Sequence, residues 1–222
     1  MTEPTGRRER KKAATRQKIA DTALQLFLER GYDAVGVRDV AAEADVAVTT
    51  LFSHFPSKEA LVFDLDRTFE QQLTEAVTGR ARQESLIGAL RREIEAQLRH
   101  CTAGDARPLW LMIDGSPTLR EYEKSMRLRH ADALAAAIAD DLGLPEPSTA
   151  CRAIARFVLD AFQLTREAAD PQPALDEIFR MIEAAWIVTD LSRRERGTDA
   201  RAGAVTGRDG SEAPEGDPVG AH

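Results

Sequence analysis

Residues 15–58 read TRQKIADTALQLFLERGYDAVGVRDVAAEADVAVTTLFSHFPSK. Apolar side chains recur here with helical spacing up to Gly31, which predicts a helix over 12–30 that ends in a left-handed cap at this glycine. Two much shorter helices are predicted over 37–44 and 48–55, with only a tight turn between them. This is the layout of a helix-turn-helix, which places its second short helix in the major groove of DNA.

The predicted helix over 48–55 has two chemically different faces. One face is apolar, and it should hold the helix against its neighbours, because an isolated helix this short is marginal in water. The other face carries small hydrogen-bonding groups that can reach bases or phosphates, and threonine methyl groups that can touch thymine. The apolar face consists of Val48, Leu51, Phe52 and Phe55, and the polar face of Thr49, Thr50, Ser53 and His54.

The charge of the chain is distributed unevenly. The net charge of the 222 residues is −7. Residues 1–18 nevertheless carry seven basic side chains and only two acidic ones. A basic segment on an acidic body is typical of a local nucleic-acid contact surface, and we expect residues 1–11 to form a flexible basic arm.

The remainder of the chain shows helical periodicity and no strand signal, so the fold class is predicted to be all-α. A three-helix head over 12–57 should precede a helical body over 58–196. The first body helix, over 58–79, should be a continuous rod that connects the two, with Ser57 as its N-cap. Residues 197–222 hold six glycines and two prolines, which predicts a disordered tail.

Residues 15–62 resemble the DNA-binding region of the tetracycline-repressor (TetR) family of transcriptional regulators. The matching patterns are TRxxIxxxALxLFxExGY, VRDVAxxA and TLFxHFPSKEALV. The resemblance implies a three-helix DNA-binding head and a helical body that dimerises and binds a small-molecule effector. It implies a ligand-responsive regulator, and members of the family are most often repressors. A small hydrophobic or amphipathic effector would release such a repressor from a palindromic double-stranded DNA operator.

The same resemblance implies roles for individual residues of the head. Thr49, Thr50 and His54 would face the groove or a phosphate, and Lys58 would bind a phosphate at a helix N-terminus. Arg38 would touch the DNA backbone or a base edge, and Arg16 would add minor-groove or phosphate contacts. With Phe52, these residues form the predicted DNA-binding set.

Three residues depart from the family pattern. Phe52 stands where tyrosine is usual, so one hydroxyl contact to a phosphate should be missing. Asp45 stands where glycine is usual in the turn, and aspartate tolerates the left-handed conformation better than most residues. Gly36 occupies the expected N-cap of the second helix, where threonine or serine is usual.

The predicted effector pocket lies in the body. Candidate lining residues are Trp110, Met112, Tyr122, Met126 and Phe157, for which ordinary core packing is the alternative. Three basic side chains on the predicted helix over 117–142 would meet an anionic ligand or face water, and water is the favoured interpretation. These side chains are Arg127, Arg129 and His130.

The last two predicted helices, over 148–168 and 173–195, are apolar-striped. The resemblance implies that they form a four-helix bundle with a second copy, and an intramolecular core is the alternative. The residues predicted to form this homodimer interface are Phe162, Leu175, Ile178, Ile182 and Trp186.

Other classes of protein find little support in the sequence. No catalytic motif, metal-ligand spacing or cofactor fingerprint is present, so we expect neither an enzyme nor a cofactor. No apolar run reaches the length of a membrane span, and the N-terminus lacks the features of a secretory signal, which predicts a cytoplasmic protein without membrane contact. A transcriptional activator of the same fold and a DNA-binding protein without an effector remain open alternatives.

Overall fold

The computed structural model describes residues 6–63, 66–81, 83–102, 104 and 106–206. Within these residues all regular secondary structure is helical, which confirms the predicted all-α class. The helices are α1 Arg7–Arg30, α2 Val37–Glu43, α3 Val48–His54, α4 Glu59–Val62, α5 Asp66–Thr78, α6 Leu86–Thr102, α7 Arg107–Gly115, α8 Pro117–Asp141, α9 Thr149–Glu167 and α10 Pro171–Thr206.

Helices α1, α2 and α3 pack around one hydrophobic cluster. The predicted apolar stripe of α1 is buried there, together with Leu51 of α3 and Phe55, the residue that follows α3. The cluster does not stop at residue 57. It also includes Leu61 of α4, Ile113 of α7 and Leu119 of α8, so the head shares its core with three helices of the body.

Helix α1 differs from its predicted form at both ends. It begins at Arg7, so residues 7–11, predicted to be a flexible arm, are helical. These residues are mostly arginine and lysine, which are good helix formers, and they extend an existing helix without a new nucleation step. Gly31 has φ 88° and ψ 146°, so the predicted left-handed helical cap is wrong. The positive φ nevertheless favours glycine at this position.

The turn between α2 and α3 has the conformation expected of it. Asp45 has φ 51°, in the left-handed region. Its N–H donates to the Ala42 carbonyl at 3.1 Å, and the Val46 N–H donates to the Ala41 carbonyl at 2.9 Å. This pair of hydrogen bonds is a Schellman motif, which ends α2 and fixes the direction in which α3 leaves.

The predicted continuous rod over 58–79 is wrong. Helix α4 ends at Val62, and Phe63 has a non-helical backbone with φ −105° and ψ 41°. The Phe63 ring stacks on Tyr122 of α8, with centroids 5.5 Å apart and an interplanar angle of 23°. The aromatic contact between head and body therefore replaces helical continuity, and a separate helix, α5, begins at Asp66.

Helices α5 to α10 enclose a second hydrophobic cluster, in which α9 packs between α8 and α10. The cluster includes Leu90 of α6, Leu134 of α8, Val158 of α9 and Phe179 of α10. Among the described helices, none has both the length and the apolar character needed to cross a membrane.

Helix α10 continues to Thr206, ten residues beyond the predicted end of the body at residue 196. Residues 197–206, for which the sequence predicts disorder, form the end of this helix in the structure. Three alanines in this segment favour helix, and extending a helix costs less than starting one. The remainder of the predicted tail, 207–222, lies outside the described residues.

We predict that Asp45→Gly raises the free energy of unfolding by about 0.5 kcal/mol, because glycine adopts a positive φ without a Cβ clash. Chemical denaturation measures the change. Glu43→Gly, two residues earlier in helical conformation, is the matched control and should lower the free energy of unfolding by about 0.5 kcal/mol. A destabilised Asp45→Gly chain would show that the aspartate side chain stabilises the turn.

Candidate nucleic-acid interface and cavity

Helix α3 presents its polar face outward, as the sequence predicts. Thr49 is exposed and Thr50 is half-buried, while the Ser53 hydroxyl donates to the Thr50 carbonyl at 2.7 Å. Phe52, assigned from its spacing to the apolar face, is 46% exposed. A large apolar ring therefore lies beside the hydroxyl groups on the accessible surface of this helix.

The basic N-terminal part of α1 lies beside the C-terminal end of α3. The Arg16 guanidinium donates to the His54 carbonyl and lies over the Phe55 ring, 4.1 Å from its centroid. A cation at this position complements the free carbonyl groups of the last helical turn. Burial, the charge of Lys12 and the charge of Arg16 lower the pKa of His54. Arg16 of the basic α1 thus fixes the C-terminal end of α3 against α1.

Lys58 has contacts within the head. Its Nζ donates to the Tyr32 carbonyl at 2.6 Å and lies 4.0 Å from the centroid of the Tyr32 ring. The Tyr32 hydroxyl in turn donates to Glu59 Oε1 at 3.0 Å. Burial alone would raise the pKa of Glu59, but its hydrogen bonds and the Lys58 charge lower it. The phosphate contact of Lys58 stays a prediction.

The starts of α2 and α4 have local capping contacts. The Gly36 N–H donates to Asp39 Oδ2 at 2.7 Å, which supplies one half of a capping box in the absence of a capping side chain. The Ser57 hydroxyl accepts from the Ala60 N–H at 3.3 Å, but the N-cap position of α4 is Lys58, one residue after the predicted cap. Arg38, the second residue of α2, is exposed, so its guanidinium is accessible to a partner.

A cavity of about 270 Å³ lies between the head and the body. Its walls come from α1, α4, α5, α6, α7, α8 and α9 and from Phe63. Helix α1 contributes Gln17, Ala20, Asp21 and Leu24. The predicted pocket lay in the body alone, so this wall from α1 was not predicted. Gln17 and Asp21 lie one turn apart on α1, a spacing that sequence periodicity by itself does not assign to a cavity.

The predicted lining residues divide into two groups. Trp110 and Met126 line the cavity. Met112 and Tyr122 instead pack against the hydrophobic cluster of the head, and Phe157 is 52% exposed, so all three were wrongly assigned. The cause is that aromatic and methionine side chains suit a core, a cavity wall or an interface equally well.

Two of the three basic residues on α8 also line the cavity. Arg127 and His130 lie in its wall, whereas Arg129 is exposed. The favoured interpretation, that these side chains face water, is therefore wrong for Arg127 and His130. Helix α8 contacts the head core, the cavity and the body core along its length, so its side chains meet several environments.

The predicted dimer residues lie inside the protomer. Leu175 is 1% and Ile182 is 3% exposed, while Ile178 and Trp186 pack against the body cluster. Phe162 lines the cavity and contacts Phe69 and Trp110. Burial inside the protomer supports the intramolecular alternative for Leu175 and Ile182, and the dimer role of the five residues stays a prediction. A second apolar stripe on α9 and α10 is exposed, and it consists of Phe157, Leu164, Met181, Ile187 and Val188.

These features are those of a helix-turn-helix DNA-binding protein that also has a ligand-sized cavity. They are the exposed α3 with the turn before it, the basic α1 and the adjoining cavity. Residues 19–65 match the family described as "Bacterial regulatory proteins, tetR family". The chain belongs to this family of transcriptional regulators.

Named relatives agree with this assignment. The chain is 32% identical over 190 residues to the transcriptional repressor KstR of Rhodococcus jostii, covering 83% of this chain and 76% of that protein. It is 48% identical over 67 residues to KstR of Mycolicibacterium smegmatis, covering 30% of this chain and 32% of that protein. Both relatives are named as helix-turn-helix repressors, so this chain is a DNA-binding regulator of the same kind.

Solved structures show the same fold. A TetR-family regulator from Streptomyces coelicolor superimposes with a TM-score of 0.52 at 22% identity, over 78% of this chain and 97% of that chain. GusR of Salmonella enterica gives a TM-score of 0.52 at 20% identity, over 83% of this chain and 97% of that chain. The whole order of helices, and not only the head, therefore follows the family.

We predict that Arg16→Ala weakens DNA binding by about tenfold, because α3 loses the cation that holds its C-terminal end. The free energy of unfolding should fall by about 1–2 kcal/mol. Lys18→Ala removes the same charge from an exposed position on α1 and is the matched control. Fluorescence anisotropy with labelled duplex DNA compares the two variants. Equal losses would show that Arg16 contributes only its charge.

We predict that Phe52→Tyr tightens DNA binding by up to about fivefold, since the added hydroxyl can donate to a phosphate oxygen. The free energy of unfolding should change by less than about 0.5 kcal/mol, because the ring is exposed. A titration at one fixed salt concentration measures the affinity. Unchanged or weaker binding would show that no phosphate lies within reach of this position.

Proposed function

We propose that this regulator is a cytoplasmic homodimeric repressor that leaves a palindromic DNA operator when a small amphipathic molecule occupies the cavity. The observation that carries the proposal is the composition of the cavity wall. Helix α1 belongs to the DNA-binding head, and its residues Gln17, Asp21 and Leu24 also line the cavity. A ligand in this cavity touches the head directly.

The DNA side of the proposal rests on the outward face of α3 and the basic surface beside it. In this proposal Thr49, Thr50 and His54 contact the major groove or a phosphate, Arg38 contacts the backbone or a base edge, and Lys58 contacts a phosphate. Seven basic residues within 1–18 supply a sequence-independent attraction to phosphate. The acidic remainder of the chain would disfavour DNA elsewhere on the molecule.

Few residues separate the cavity wall from the proposed DNA-binding surface. Gln17 in the cavity wall directly follows Arg16, whose guanidinium holds the His54 carbonyl at the end of α3. Phe63, which also lies in the cavity wall, stacks on Tyr122 where the head meets the body. A ligand that binds one arrangement of these contacts better than another shifts the population between them and changes DNA affinity.

Dimerisation is supported by the exposed stripe on α9 and α10. Phe157 and Leu164 lie seven residues apart, as do Met181 and Val188, so each pair lies on one helix face. Met181 is 67% and Val188 is 65% exposed. Contiguous exposed apolar surface on a regulator marks an interaction site. Two heads joined by a two-fold axis would bind the two halves of a palindrome.

The sign of regulation favours repression over activation, because the KstR relatives are named as repressors. In vitro transcription tests this point. The template is a promoter that overlaps an operator selected by the chain from random DNA. Transcript yield should fall as the chain is added, whereas a rise would identify an activator.

We predict that the double variant Met181→Glu with Val188→Glu is monomeric, because two carboxylates would be buried without partners in an apolar interface. Sedimentation velocity measures the oligomeric state. Leu111→Glu is the matched control, since Leu111 is 63% exposed and lies on α7, outside the exposed stripe of α9 and α10. It should stay dimeric. A dimeric double variant would place the interface elsewhere.

A further inference from the structure

We propose that the cavity selects a neutral, largely apolar molecule that carries one hydrogen-bond-donating hydroxyl group, and discriminates against the corresponding carboxylate. The inference rests on the proposed function only in treating this cavity as the effector site. It concerns which chemistry the cavity accepts, and binding alone can test it.

The walls favour an apolar ligand body. Leu24 of α1, Phe69 of α5, Trp110 of α7, Met126 of α8 and Phe162 of α9 contribute apolar surface from five different helices. The Phe162 ring contacts both Phe69 and Trp110, with centroids 5.5 Å and 6.3 Å apart. These side chains enclose the chamber with hydrocarbon and aromatic surface, as is common in small-molecule sites.

Gln163 supplies the polar contact. This α9 residue lines the cavity, and its Nε2 donates to the carboxylate of Glu167, one turn further along the helix. Its Oε1 is buried and accepts no hydrogen bond from the residues that the structure describes. A buried acceptor without a donor is unfavourable. A ligand hydroxyl that meets this oxygen, once the side chain of Gln163 turns it toward the cavity, gains that interaction.

The two arginines near the cavity already have carboxylate partners. Arg127 Nε lies 3.6 Å from Asp160 Oδ1. Arg166, which lies over the Trp110 ring, donates to both carboxylate oxygens of Asp114 at 3.0 Å and 3.1 Å. An anionic ligand would have to compete with these carboxylates for both arginines.

The acidic side chains near the cavity also have basic or hydrogen-bonding neighbours. The carboxyl of Glu123 is buried in the wall, and Arg166 Nη2 lies 3.9 Å from its Oε1. Asp21 accepts from Gln17 Nε2 at 2.8 Å, and His130 Nε2 lies 3.9 Å from Glu70 Oε2. Among the described residues of the wall, a cationic ligand therefore finds no carboxylate without a neighbouring partner, and an anion would face Glu123. A neutral hydroxyl compound neither competes with the existing ion-pair partners nor brings a negative charge to Glu123.

Isothermal titration calorimetry on the full chain tests the inference with four probes of one shape. They are 4-octylphenol, 4-octylanisole, 4-octylbenzoate and 4-octylbenzylamine. The phenol should bind about tenfold more tightly than the anisole, which lacks the donor, and more tightly than either charged probe. Equal binding of phenol and anisole, tighter binding of a charged probe, or binding of none would overturn the inference.

Two glutamine variants locate the contact. Gln163→Leu should bring the phenol to within about twofold of the anisole. Gln172→Leu is the matched control, because the amide of Gln172 makes the same kind of one-turn bond, to Asp176 at 3.1 Å, but outside the cavity. It should keep the full preference. A preference that survives in Gln163→Leu also overturns the inference. If that variant does not fold, the ranking of probes on the unmodified chain decides.

Release from the operator separates this inference from the proposed function. Tighter binding of the benzoate with release of DNA would overturn the ligand chemistry and leave the ligand-responsive regulator in place. The predicted ranking without release of DNA by any probe would support the ligand chemistry and contradict the coupling to DNA.

Discussion

The contact between the Arg16 guanidinium and the end of α3 connects the two halves of this regulator's function. Helix α3 has seven residues, and a helix of that length has no stability of its own in water. It is held by Leu51 and Phe55 in the head core and by the cation at its C-terminal carbonyls. Because Arg16 is part of α1, the position of the DNA-reading surface depends on the position of α1.

Helix α1 is constrained from two other directions. Its apolar stripe forms the centre of the head core, and a neighbouring face forms one wall of the cavity. The head core also includes Ile113 and Leu119 from the body. The head is therefore not a module on a flexible linker. A ligand that alters the cavity wall acts on a helix that is already packed against the DNA-binding elements, so no long chain of intermediates is required.

The head could be predicted closely from sequence because its signals are local. The stripe on α1, the left-handed Asp45 and the opposed faces of α3 follow from periodicity and turn chemistry. The body could not be predicted as closely, because tertiary packing decides which of its apolar side chains are buried and where its helices break. Helix α10 carries apolar residues on two faces, and only packing shows that Leu175 is buried while Met181 is exposed. The break at Phe63 depends on Tyr122, a partner 59 positions away in the chain.

Selection of bound duplexes from a pool of random DNA, with the full chain as bait, tests the central claim most directly. The account predicts that an inverted repeat is enriched and is bound at least about a thousandfold more tightly than random DNA, with affinity that falls steeply as salt rises. Its half-sites should be spaced to match two heads related by a two-fold axis. Failure to enrich any sequence over the starting pool would contradict the assignment of α3 as a sequence-reading helix.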